Sequence, residues 1–246
     1  LNIVVDNWKQ RASVYDNLRW TAEDELLKKI HRFSGITRES MVLDVGTGTG
    51  ILPRYLSPLC HRVYAVDVSR DMLNIAVNKN NGLNISYQVM DATDLLFMSG
   101  FFDCVVSRMC FHHINDRVKA MNECLRVLKP GGEMIICEVV PPIGSYDFYV
   151  DMFKLKEERF VFTPDGLISM LNGVGLVDID FSFYTMKDVS IRNWLGNSGL
   201  SVEVQDIIFK MWYGCPGIVR DGHGLVFVGD DILVRWLFMI VKGKKE

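Results

Sequence analysis

Between residues 41 and 139 the chain alternates short runs of β-branched and apolar residues with stretches whose apolar positions recur three and four apart. Strands carry a side-chain period near two and helices one near 3.6, so the alternation predicts βαβ units around a parallel sheet. The strand-like runs are residues 41–45, 62–66, 85–89, 102–107 and 133–138. Helical spacing covers 51–59, 70–79 and 117–128, the last stopped by Lys129-Pro130-Gly131-Gly132, where proline lacks an N–H and glycine loosens the backbone. Crossovers of one hand place every strand's C-terminal end on the same edge, which is where open α/β sheets receive ligands.

The flanks follow other rhythms. Trp8 to Phe33 reads as helical, with Leu26, Leu27, Ile30 and Phe33 in one apolar stripe. After Glu138, Pro141-Pro142-Ile143-Gly144 reads as a linker and 146–160 as a helix rich in Phe, Tyr and Met. Thr163 before Pro164 predicts an N-cap and a first helical position, and a strand near 176–184 follows. Residues 188–223 interleave Trp194, Met211, Trp212 and Tyr213 with Gly and Asn around a helix near 202–212, too long a stretch for a hairpin loop. They are expected to form an inserted lid before a last strand at 231–241. The expected fold is α/β: a Rossmann-like, seven-stranded, mostly parallel sheet with helices on both faces. It divides into an N-terminal helical segment (1–40), a nucleoside-binding core (41–140), a linker with helices and the sixth strand (141–187), the lid (188–223) and the closing strand (224–246).

Composition narrows the partners. With 49% hydrophobic and 23% charged residues the chain has globular proportions, enough to bury a core. A net charge of -3 provides no broad basic face for nucleic acid, and the tail Lys242-Gly243-Lys244-Lys245 reads as a solvated end. The longest apolar run, 232–241, is broken by Arg235 and falls far short of the ~20 residues a membrane helix needs. Six cysteines without paired spacing, and an N-terminus without the layout of a signal peptide, point to a reducing, cytoplasmic setting. The same scattered spacing argues against a metal site. Oligomeric state leaves no mark in the sequence.

Candidate chemistry collects after the first three strands. Gly46, Gly48 and Gly50 follow a strand, where the absence of Cβ atoms lets a ligand approach main-chain N–H groups. Nicotinamide and flavin proteins use a similar loop, so the glycines alone decide little. Asp44 discriminates: a carboxylate there repels a pyrophosphate and favours a ligand bearing ammonium and sulfonium groups. Ile51 also replaces the third glycine of G-x-G-x-x-G. Asp67 stands about 20 residues beyond the first glycine, the interval at which a carboxylate accepts from ribose hydroxyls. Asp91 offers an acceptor for an adenine amine. Either acid alone can be a helix N-cap, but three acids after three consecutive strands are hard to explain that way.

These residues carry a resemblance. Leu43-Asp44-Val45-Gly46-Thr47-Gly48-Thr49-Gly50, Val66-Asp67-Val68-Ser69 with Met72-Leu73, Asp91-Ala92, and Phe102-Asp103-Cys104-Val105-Val106-Ser107 come first in order. His112-His113-Ile114 and Leu125-Arg126-Val127-Leu128-Lys129-Pro130-Gly131-Gly132 follow. Over about 40–140 the set resembles class I S-adenosylmethionine-dependent methyltransferases and is similar to the small-molecule branch containing the ubiquinone/menaquinone biosynthesis C-methyltransferases. The resemblance implies S-adenosyl-L-methionine as cofactor, with Thr47 in the binding loop and Gly46 and Gly48 along the methionine portion. It also implies that Asp67 holds the ribose, Val68 and Met72 flank the adenine, Asp91 and Ala92 read its edge, and Ser107 stands near the methionine end. Ala12-Ser13-Val14-Tyr15-Asp16 is similar to the family's entry segment, in which the tyrosine approaches the same end. Arg19 either pairs with the donor's carboxylate or faces solvent.

A sulfonium already activates its methyl group, so such an enzyme mainly aligns reactants and excludes water, adding a base only where the acceptor loses a proton. His112, just past the fourth strand, is the first candidate base, although the His pair can equally shape its loop; Glu138 is the second candidate. Arg108, Met109 and Cys110 share that loop and are candidates to line the acceptor pocket. Ser107-Arg108-Met109-Cys110 stands where enzymes methylating base amines carry Asn-Pro-Pro-Tyr or Asp-Pro-Pro-Tyr, and aromatic residues crowd the lid, so the expected acceptor is a small, partly apolar metabolite. The alternatives are an NAD-dependent oxidoreductase and a non-catalytic S-adenosylmethionine-binding regulator.

Overall fold

Strands β1 (Met41–Val45), β2 (Arg62–Asp67), β3 (Ile85–Val89), β4 (Phe102–Arg108) and β5 (Leu128–Val140) pair in parallel, as the alternating pattern predicts. The structure, a computed structural model, describes residues 15–18, 21 and 23–246. Sheet order is β3-β2-β1-β4-β5-β8-β6, with β8 (Asp231–Lys244) antiparallel to both β5 and β6 (Val177–Ser190). A short β7 (Val226–Val228) pairs with β8 off this path, an eighth strand beyond the seven expected. The reversal of order between β1 and β4 opens a crevice at their C-terminal ends.

Both faces of the sheet are covered, which is why its central strands are largely apolar. On β1, Val42 joins one core with Ala65, Cys104 and Val106, while Leu43 and Val45 join the other with Val66 and Val105. Neighbouring side chains point to opposite faces, so one short strand feeds two cores. The helices are stopped and started by the expected chemistry. Ser69 caps α3 (Arg70–Asn78) by accepting from Met72 N at 3.3 Å, and Asp116 caps α4 (Arg117–Val127) by accepting from Lys119 N at 3.0 Å. Thr163 accepts from Gly166 N at 3.1 Å at the start of α6 (Pro164–Gly173), with Pro164 at the first position. The remaining early helices are α1 (Asp24–Phe33), α2 (Ile51–Leu56) and α5 (Tyr146–Lys156).

Several boundaries differ from expectation. Among the described residues the N-terminal helix is confined to α1, preceded by a 3-10 turn at Tyr15–Asn17; the extended Glu23 separates the two. Trp8, the stretch Ala12-Ser13-Val14 and Arg19 lie outside the described residues. Lys129-Pro130-Gly131-Gly132 ends α4 but also opens β5, because Gly131 N donates to Lys245 O and Lys245 N to Gly132 O. The basic tail is therefore structural rather than solvated: Lys242 Nζ is 3.1 Å from Glu133 Oε1, and Lys245 Nζ donates to Leu125 O and Leu128 O. Residues 191–222 form α7 (Ile191–Gly196), α8 (Val202–Tyr213) and α9 (Gly217–Gly222). Of these, α8 packs on α5 through Trp212 against Phe148, with ring centroids 4.8 Å apart, and α7 through Trp194 against Phe153. No described helix is long and apolar enough to cross a membrane.

Candidate functional site

Two adjoining cavities open at the C-terminal ends of the parallel strands. The larger, about 310 Å³, is bounded by Asp44, Gly46, Thr47, Gly48, Asp67, Val68, Met72, Asp91, Ala92, Thr93, Arg108 and Cys110. Its floor is main chain. Gly46 N and Thr47 N both donate to Val66 O, at 2.9 and 3.0 Å, which pins the loop after β1 to the end of β2. Gly46, Gly48 and Gly50 all have positive φ, the region only glycine enters without penalty. They serve different ends: a Cβ on Gly46 would lie 2.1 Å from Cys110 Sγ, whereas one on Gly48 would meet nothing within 4 Å. The first is a close approach of two loops; the second leaves open space at a residue that lines the cavity.

The three acids after the three strands behave differently. Asp44 is almost wholly buried, and its Oδ2 has no hydrogen-bond partner, as Thr47 Oγ1 has none. Burial pushes the Asp44 carboxyl up to about 7 against the pull of Thr47 and Arg108, and a cationic or donating ligand would bring it down further. Asp67 instead ties the loop: its Oδ2 accepts from Gly48 N and its Oδ1 from Ser69 N, each at 2.8 Å. Burial raises its pKa against these favourable amides. Asp91 Oδ1 accepts from Thr93 N and Thr93 Oγ1, both at 2.8 Å, closing a turn at the rim. The loop is also held from outside by Asp16, which accepts from Thr49 Oγ1 at 2.6 Å and pairs with Lys79. Sequence reasoning missed Asp16 because its partners are 33 and 63 residues away.

The smaller cavity, about 30 Å³, shares Tyr15, Met109 and His113 with the larger one and adds His112, Val139, Tyr149, Met152, Phe153, Lys156, Glu157, Arg159, Trp194 and Trp236. Met109 has φ 56°, and its N–H donates to Cys137 O at 2.8 Å, so the chain turns sharply between the cavities. His112 Nδ1 stands 2.6 Å from Glu138 Oε2, with the two side chains 3% and 0% exposed. Glu138 Oε1 also accepts from His112 N at 3.3 Å, and burial pushes Glu138 up to about 7. Glu138 lines neither cavity and touches the smaller one through its hydrogen bonds to His112.

Of the residues singled out in the sequence, Tyr15, Asp44, Gly46, Thr47, Gly48, Asp67, Val68, Met72, Asp91 and Ala92 meet at the larger cavity. Ser107 does not: its Oγ is buried and donates to Val45 O at 2.9 Å, tying β4 to β1. The strand pairing itself consumes the hydroxyl. Arg108, Met109 and Cys110 do line the larger cavity, but burial raises the Cys110 thiol well above its ordinary range, so it stays protonated. Lys156, Glu157 and Arg159 were not anticipated, since they follow a helix with no motif around them. His112, His113 and Glu157 bring one ligand atom each within 4.8 Å of one another. Glu157 is nonetheless 2.9 Å from Lys156 Nζ and 3.4 Å from Arg159 Nη1, two cations that would repel a metal ion.

The chain is similar to known proteins in both sequence and fold. The family model described as a methyltransferase domain matches residues 43–136. The chain is 28% identical over 228 residues to the ubiquinone/menaquinone biosynthesis C-methyltransferase UbiE of Idiomarina loihiensis, covering 78% of this chain and 89% of that protein. It is 33% identical over 188 residues to UbiE of Proteus mirabilis, covering 65% of this chain and 75% of the relative. The crystal structure of the YcgJ protein from Bacillus subtilis superposes with a TM-score of 0.81 at 21% identity, over 89% of this chain and 97% of that one, a likeness of fold.

Proposed function

Since the chain belongs to the class I S-adenosylmethionine-dependent methyltransferases and resembles their small-molecule branch, we propose that its larger cavity holds the donor and its smaller one the acceptor. The observation that carries the donor assignment is the unpartnered, buried Asp44 Oδ2 beside the open space at Gly48. These residues fit the group: a buried carboxylate with an open oxygen suits a cationic amino acid end, and a loop without Cβ atoms lets a nucleoside approach closely. Gly46, Thr47 and Gly48 would line the methionine portion, Asp67 would accept from the ribose with its remaining lone pairs, Val68 and Met72 would flank the adenine, and Asp91 and Ala92 would meet its edge. Tyr15, shared by both cavities, would stand at the methionine end. Bound there, the sulfonium supplies a methyl group already activated for in-line transfer.

The chain's own work then lies across Met109 and His113, where the two cavities meet. His112 faces the acceptor side, its ring held by Glu138, and takes a proton from an acceptor that must lose one. Trp194 of α7 and the packing of α7 and α8 on α5 exclude water from the acceptor side, the role of a lid formed by residues 191–222. The six unpaired cysteines suit a reducing compartment such as the cytoplasm. Calorimetry tests the donor assignment. S-adenosylhomocysteine is expected to bind in the micromolar range, with Asp44→Ala and Asp67→Ala each weaker. An absence of binding, or variants indistinguishable from wild type, overturns it.

A further inference from the structure

One buried cation beside the smaller cavity has an open edge. Arg159, whose side chain is 7% exposed, turns Nη1 toward Glu157 Oε1 at 3.4 Å, the long limit of a hydrogen bond. Its Nε is buried with no partner, at a residue that lines the cavity. A guanidinium donor left unpaired away from water is costly, so such an edge marks a place for an acceptor atom that the protein does not supply. Lys156 Nζ, with its side chain 3% exposed, is 2.9 Å from the other oxygen of the same Glu157. The same carboxylate thus touches both cations, and Glu138 also lies within electrostatic reach of Arg159. The His112–Glu138 pair adds no net charge while it holds a proton, and burial raises Glu138 toward that state.

The surroundings of these cations are aromatic and flat. Arg159 Cζ lies 4.1 Å from the Phe153 ring centroid, and Lys156 Nζ lies 5.3 Å from that of Trp194. We infer that the methyl acceptor is a small carboxylic acid with a flat apolar body, its carboxylate received on the Nε edge of Arg159 and its body lying against Phe153 and Trp194. Arginine's rigid fork matches a planar carboxylate with two parallel donors, which explains why an arginine with one edge left open suits this anion. The acid's other end then points to Met109 and His113, where the cavities join. The inference rests on the smaller cavity being the acceptor side.

Calorimetry on the full chain, saturated first with S-adenosylhomocysteine, compares benzoate and indole-3-carboxylate with the neutral benzamide and indole-3-carboxamide. A hydrogen-bonded charge predicts that the acids bind at least about tenfold more tightly than the amides. Arg159→Met is expected to erase that difference while leaving the affinity for S-adenosylhomocysteine unchanged, and Arg159→Lys to keep part of it. Equal affinities for acid and amide, or no binding of either acid, overturn the carboxylate while the donor assignment stands. A preference that survives Arg159→Met overturns the role of Arg159. Failure of S-adenosylhomocysteine to bind wild type overturns the donor assignment itself, and this inference with it.

Discussion

The two cavities are built from different material. The larger is walled chiefly by the ends of β1, β2 and β4 and the segments that follow β1 to β4, with glycines and main-chain N–H groups at its floor. The smaller is walled by side chains from the loop after β4, α5, the segment beyond it, α7 and β8, elements far apart in the chain. A site made of backbone tolerates few residue types and leaves a motif. One made of side chains depends on which elements the fold brings together, so it can change its ligand while the sheet stays the same.

Breaking the side-chain half is expected to have the largest effect on the fold. Removing the carboxylate in Glu138→Ala strips both oxygens from His112 Nδ1 and His112 N in a fully buried place. Losing one member of a buried pair costs about 3–5 kcal/mol, read as a fall in the urea midpoint. The affinity for S-adenosylhomocysteine should hold in the fraction that folds, because Glu138 lines neither cavity. His112→Ala should also slow methyl incorporation into a metabolite extract by roughly 10²–10⁴-fold if it serves as base. Unchanged incorporation would leave His112 a shaper of its loop.

The backbone half should break in the opposite sense. Gly46→Ala sets a methyl 2.1 Å from Cys110 Sγ at a positive φ, so the loop must move and donor affinity should drop by roughly 100-fold, about 2.7 kcal/mol. Cys110→Gly in the same chain removes the clash and should recover much of it. Without recovery, the close approach of the two loops is not what requires glycine at 46.

These opposed responses match how much of each half is legible in the sequence. The pattern places β1 and β3 to the residue, and nine residues of the larger cavity belong to the motifs at three strand ends read in order. Period-two runs and glycine spacing are local signals, and they survive without knowledge of the partner strand. Arg159 and Lys156 carry no such signal. They become a site only because α5 packs against Trp194, Trp236 and the His112 loop. The breaker at Lys129-Pro130-Gly131-Gly132 failed as a strand boundary for the same reason: its pairing partner is the tail, more than a hundred residues on.

Acidity offers a milder test that separates the two halves within one experiment. Burial raises Asp44 from 3.8 and Glu138 from 4.5, each to about 7. A carboxyl that keeps its proton longer when folded contributes fully below its unfolded value, about pH 4, and loses that contribution as pH climbs through 7. The ligand-free chain should therefore lose up to about 1.4 kcal/mol per pH unit for each group between pH 5 and 7. A cationic donor beside Asp44 lowers its pKa, so saturating S-adenosylmethionine should remove the Asp44 share of the slope and leave that of Glu138. Donor affinity should correspondingly rise as pH passes through 7. Urea midpoints at pH 5, 6, 7 and 8, with and without the donor, decide this. Parallel slopes would mean the donor does not meet Asp44.

The smallest expected effect concerns the residue on which motif and structure disagree. The family resemblance sets Ser107 at the methionine end, yet its hydroxyl is buried and spent on Val45 O, with no exposure to either cavity. Ser107→Ala should cost about 1 kcal/mol, the net worth of one such bond, while the dissociation constant for S-adenosylhomocysteine stays within about twofold. Val45 ends the strand that leads into the glycine loop, so the hydroxyl acts on the loop only by holding β1 to β4. A loss of donor affinity larger than the loss of stability would show that this tie positions the loop as well as the sheet, and would move Ser107 back into the backbone-built half of the site.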